Sequence, residues 1–153
     1  MEIKTEYERL KKKYNLPNFG KLNEEFEIYS IEKKDCLLRN IRRRIIEKLG
    51  FFTRILDNVL YPNSGSLVSI HESKFFSDEE KLRLSDLYKE LMIYERESLA
   101  LDVSPDEKED ALVIKKIFKD WNRLKKEVEN VVNKMEKSWK TKDEDLKNNI
   151  YFG

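Results

Sequence analysis

The stretch SPDEKEDALVIKKIFKDWNRLKKEVENVVNKMEKSWK, residues 104–140, decides the fold class. Ile114, Ile117, Trp121, Leu124, Val128, Val131, Met135 and Trp139 recur at steps of three and four, the period of a helix with one apolar face. Its start is marked by Ser104-Pro105-Asp106-Glu107, a capping box with proline at the first helical position. Trp121 and Trp139 both project from the centre of the stripe and read as core.

The same grammar extends outward. Ser77-Asp78-Glu79-Glu80 is a second capping box and opens a helix to about Leu101. Leu38, Ile41, Ile45, Leu49, Phe52, Leu56 and Val59 mark another long helix, with Ser30 as its expected cap and Gly50 a tolerated weak point. Tyr61-Pro62-Asn63-Ser64-Gly65 is a loop, and Leu67 to Phe76 a short helix. Ile3, Tyr7, Leu10 and Tyr14 define a first helix that stops at Asn15-Leu16-Pro17. Residues 17–29 read as a connector, extended around Phe26-Glu27-Ile28. The expected fold is all-α, a single up-and-down antiparallel bundle of about five helices. One domain is expected, with the N-terminal helix and connector in 1–29, the bundle core in 30–140 and a frayed polar tail in 141–153.

Composition narrows the function classes. The 153 residues are 40% charged, yet contain one Cys, one His and four Gly. A single Cys makes no intramolecular disulfide and suits a reducing cytoplasm. The start, Met1-Glu2-Ile3-Lys4, lacks an apolar leader core, and no apolar run is long enough for a membrane span. Four scattered glycines write no phosphate loop. Helical di-iron sites need Glu-x-x-His twice, and His71 is alone. Glu24-x-x-Glu27, Glu32-x-x-Asp35 and Glu107-x-x-Asp110 echo a magnesium-binding spacing, but the last two also suit helix starts through the macrodipole. No metal or cofactor is expected. Cys36 with His71 is the one thiol pair the chain can offer, and Cys36 reads better as a partly buried small hydrophobe.

Two surfaces stand out. Arg39, Arg42, Arg43 and Arg44, with Lys11, Lys12 and Lys13 of the first helix, form the candidate nucleic-acid surface. Arg42 and Arg44 flank the apolar seam of their helix on opposite sides, and Asp35 and Glu47 sit four residues from Arg39 and Arg43, so ion pairing within the bundle is the better reading. Residues 78–110 hold 5 basic and 12 acidic side chains, whereas 1–50 hold 13 and 9 and 111–153 hold 11 and 7. Such alternation points to charges matched within the fold or against a second copy.

The second surface lies on the helix that follows Ser77. Leu84, Leu87, Leu91, Tyr94 and Leu101 form one stripe, which Tyr88, Met92 and Leu99 widen to nearly half the circumference. That is more than one bundle seam requires, so Tyr88, Met92 and Leu99 are the candidate partner-binding residues. Glu95 and Asp102 fall inside the arc and need a cation, for which Arg42 or Arg44 is available. An enzyme built on Glu95 requires that pair to line an open pocket.

Tyr14-Asn15-Leu16-Pro17, Phe26-Glu27-Ile28, Leu37-Leu38-Arg39-x-Ile41-Arg42-Arg43 and Phe76-Ser77-Asp78-Glu79-Glu80-Lys81 together resemble a small family of archaeal helical proteins. The resemblance implies a cytosolic helical bundle from an archaeon and brings no activity, cofactor or site residue with it. The expected role is that of a non-enzymatic interaction or scaffold protein, binding a second copy or another protein, with nucleic-acid binding as the alternative.

Overall fold

A computed structural model describes residues 2–140. The described residues are all-α, with helices α1 (Ile3–Tyr14), α2 (Phe19–Phe26), α3 (Leu37–Leu60), α4 (Leu67–Lys74), α5 (Asp78–Val103) and α6 (Glu107–Trp139). A 3₁₀ turn at Ile28–Ser30 follows α2. The expected polar tail, 141–153, lies outside the described residues. No described helix is long and apolar enough to cross a membrane.

The chain groups into two compact units. One contains the residues up to Gly50 together with Met92–Asn122, and the other Phe51–Leu91 together with the chain from Arg123. Helices α3, α5 and α6 contribute to both.

In the first unit α1 and α2 close over α3 and α6. Tyr7 and Leu10 of α1, Phe19, Leu22 and Phe26 of α2, Ile41, Ile45 and Leu49 of α3, and Ile114, Ile117 and Trp121 of α6 are all buried. The Tyr7 hydroxyl donates to the Pro17 carbonyl at 2.5 Å, and burial pushes its pKa up. Trp121 stacks at a tilt on Phe26, ring centroids 4.7 Å apart, and its Nε1 donates to Glu25 at 2.8 Å. Tyr94 of α5 donates to Asp120 of α6 at 2.8 Å, and Lys116 pairs with Glu97 at 3.1 Å. These pairings run in opposite chain senses, so α5 and α6 are antiparallel here.

The second unit repeats that antiparallel pairing with Glu90–Arg123 and Glu80–Lys134. Phe52, Leu56 and Val59 of α3, Leu87 and Leu91 of α5, and Leu124, Val128 and Val131 of α6 are buried. The short α4 ties in by polar contacts. Ser73 Oγ donates to the Val59 carbonyl at 2.6 Å, His71 Nε2 lies 3.0 Å from the Ser138 carbonyl, and Trp139 Nε1 donates to Glu72 at 2.8 Å.

Several expectations need correction. Residues 19–26 form a helix rather than an extended connector, because Asn18 caps it through Lys21 N–H and Glu27 ends it in the left-handed region at φ 52°. Asn15 closes α1 the same way at φ 56°. Ser30 does not cap α3, which starts at Leu37; its hydroxyl donates to the Glu27 carbonyl instead. The α6 cap is Asp106, whose carboxylate accepts from Glu109 N–H at 3.1 Å, so the cap expected at Ser104 moves by two residues. Trp139 is 48% exposed rather than core: it ends α6 and rests on His71, ring centroids 4.2 Å apart. Cys36 is exposed, at φ 55° just before α3. The described residues form six α-helices, in keeping with the all-α bundle of about five, the additional one being α2.

The capping box at Ser77 is present as read: Ser77 Oγ accepts from Glu80 N–H at 3.1 Å, and Glu80 Oε1 accepts from Ser77 N–H at 3.0 Å. The bond from Lys134, aided by the Ser77 amide, draws the Glu80 pKa down to about 2. With the folded value below the unfolded one, this contribution is complete above about pH 5 and fades as pH falls toward 2. Glu80→Gln should therefore be less stable than wild type at pH 6 by on the order of 1 kcal/mol, partial exposure included. The gap should narrow progressively as pH falls from 5 toward 2 in urea titrations. An equal gap at pH 6 and at pH 2 contradicts the assignment.

Candidate functional site

The first unit holds a fully buried arginine. Arg42 of α3 is 0% exposed. Its Nε donates to Asp110 of α6 at 2.6 Å, its Nη2 to Asp102 of α5 at 2.8 Å, and its Nη1 to the Ser98 carbonyl at 2.9 Å and to Ser98 Oγ. Arg43 reaches the same Asp102 oxygen at 3.0 Å. Desolvation raises the Asp102 carboxyl, but the bonds from the two arginines outweigh it and hold its pKa below the ordinary range. Asp110 is buried more deeply, and there desolvation prevails over Arg42, leaving its pKa above the ordinary range. The arrangement binds three helices. Arg42 itself meets no solvent, whereas the Asp102 and Arg43 side chains are partly exposed.

This geometry disperses the expected arginine cluster. Arg42 is not on the surface, and Arg43 is spent on Asp102. Arg44 donates to the Glu27 carbonyl at 3.1 Å and to Ser30 Oγ at 2.8 Å. Arg39 is half-buried, its Nε enclosed with no hydrogen-bond partner among the described residues. Of the α1 lysines, Lys13 faces Glu107 at 3.6 Å and lies over the Tyr14 ring, Lys12 is exposed and Lys11 half-buried. Acidic α5 is answered by α3 and α6 in the first unit and by α6 in the second, in line with the regional charges.

The carboxylate that meets Arg42 is not the one that an enzyme built on Glu95 requires. Asp102, rather than Glu95, receives Arg42, and Arg42 lines no opening. Asp110 of the Glu107-x-x-Asp110 spacing is bound to Arg42, and Glu107 accepts from the Tyr14 hydroxyl at 2.7 Å. Among the described residues no three His, Cys, Asp or Glu side chains gather as metal ligands.

What the first unit does expose is the outer face of α5. At 100° per residue, Met92, Arg96, Leu99 and Val103 fall within about 60° of one another, with Ile93 and Ala100 bordering them. Leu99 is 52% exposed, Ile93 58% and Val103 79%, while Met92 is half-buried. Beside this stripe a shallow groove between α5 and α6 is floored by Ala100, Leu101, Leu112 and Val113, closed at one end by the Glu97–Lys116 pair. The opposite side of α5 is filled by Tyr94 and Ser98.

Met92 and Leu99 thus share a face as the sequence indicated. Tyr88 belongs to the second unit, half-buried with its ring edge-on to Tyr61 at 6.0 Å. Ile93, Arg96 and Val103 were missed, being outside the arc centred on Leu91. An isoleucine and a valine on an otherwise polar side were the available signal.

Comparison with family models, with curated proteins and with solved structures yields no match, so no family is assigned.

Arg42→Met should cost about 3–5 kcal/mol in urea unfolding, because it strands Asp110 without its cation. Adding Asp110→Asn should restore much of that loss. A single variant within about 1 kcal/mol of wild type contradicts the role given to Arg42.

Proposed function

We propose that this is a non-enzymatic interaction protein that binds a protein partner through the outer face of α5 between Met92 and Val103. One observation carries the reading: three large apolar side chains, Ile93, Leu99 and Val103, stand more than half exposed within three turns of one helix. Single exposed apolar residues are ordinary, whereas a contiguous strip with a neighbouring apolar groove is the usual form of a protein-docking surface. The helix-in-groove mode fits the scale of the feature, which is about three turns long. Holding the inner side of α5 by ion pairs keeps the outer side in place without a partner, as a pre-formed site requires.

Nucleic-acid binding has less support. A phosphate-binding surface needs several unpaired cations on one face, and Arg42, Arg43, Arg44 and Lys13 are each engaged with groups of their own unit.

The test is selection of helical peptides on the whole protein from a displayed library. Pools enriched on wild type should bind the Met92→Lys/Leu99→Lys protein at least tenfold more weakly, by the loss of two buried apolar contacts. The variant should keep the wild-type circular dichroism and urea midpoint. Undiminished binding to that folded variant would sink the proposal.

A further inference from the structure

We infer that the occupant of the α5 face is an amphipathic helix carrying a carboxylate that meets Arg96, and not a second copy of this chain. This rests on the docking reading above. It goes beyond it by naming the partner's chemistry.

Asp102 is taken by Arg42 and Arg43, and Glu97 by Lys116. Arg96 is exposed and has no ion-pair partner among the described residues. It stands in the middle of the apolar strip, between Met92 and Leu99 on the helix surface. A guanidinium there is a planar fork that takes a carboxylate in two hydrogen bonds, and covering it with an apolar group alone removes its water without replacement. Arginine ringed by apolar contacts is a common centre of binding energy.

The same residue argues against self-pairing. A two-fold interface sets one patch against itself. Any such pairing that covers Met92 to Val103 brings the two Arg96 side chains together near the axis, where like charges repel across a newly dried surface. A helix with a carboxylate on its apolar margin has no such penalty. Ala100 adds a second constraint, since its small side chain lets the partner's backbone come close beside the groove floored by Leu112 and Val113.

The peptide selection provides the test when repeated on Arg96→Glu, a surface change that leaves the core untouched. Wild-type protein should enrich Asp or Glu on the margin of the peptides' apolar stripe, and the Arg96→Glu protein should enrich Lys or Arg at that place. Individual wild-type-selected peptides should lose about tenfold affinity for Arg96→Glu and recover it when their acid is exchanged for lysine. Pools lost on Met92→Lys/Leu99→Lys but equally acidic on wild type and Arg96→Glu would overturn the carboxylate assignment and keep the docking face. Pools indifferent to Met92→Lys/Leu99→Lys would remove both.

Discussion

A guanidinium with no exposed surface must be met by acceptors on every side, and Arg42 sets that requirement for the first unit. Asp102 comes from the C-terminal turn of α5, Asp110 from the first turn of α6, and Ser98 offers both its carbonyl and its hydroxyl. Three helices are fixed in rotation by one side chain. Replacing any acceptor leaves part of the charge unanswered, so the arrangement is specific where an apolar contact would tolerate sliding. Around it the apolar layer of Ile41, Ile45, Ile114 and Ile117 supplies the burial that favours folding at all.

The rotation of α5 follows from that requirement. With Ser98 aimed at Arg42 and Tyr94 donating to Asp120, the opposite side of the helix is turned outward. Met92, Ile93, Leu99 and Val103 are therefore presented to solvent by the same contacts that stabilise the unit. An apolar surface held this way pays little ordering entropy when it is covered. Arg96 lies among them, exposed on the same face.

The long helices were legible because their apolar periods and the capping box at Ser77 are local signals that packing did not override. The helix α2 was not, and the reason is specific. Its end is made by Glu27 in the left-handed region, a position that glycine or asparagine usually announces. At Asp106 the cap was displaced by two residues because aspartate competes with serine for the same role. The sequence offers Arg42 or Arg44 as the cation for Glu95 and Asp102 without choosing between them, and the structure joins Arg42 to Asp102. Asp110 was read only as a helix-start carboxylate, since nothing local tells a macrodipole partner from a buried counter-ion. Trp139 kept the period of its stripe but came at the end of α6, where fewer neighbours remain to cover it. The outward strip on α5 was half visible: Met92 and Leu99 extended a recognised arc, whereas Ile93 and Val103 needed the rotation that Arg42 imposes.

On the proposal made above, the outer face of α5 is open in the free protein and is covered by a different chain. The mass of the purified protein by light scattering during size-exclusion chromatography, with absorbance at 260 and 280 nm, tests this most directly. A nucleic-acid-free monomer of 18.5 kDa is expected. A particle of twice that mass that returns to the monomer on Leu99→Lys would contradict it, because the face would then be covered by a second copy of itself.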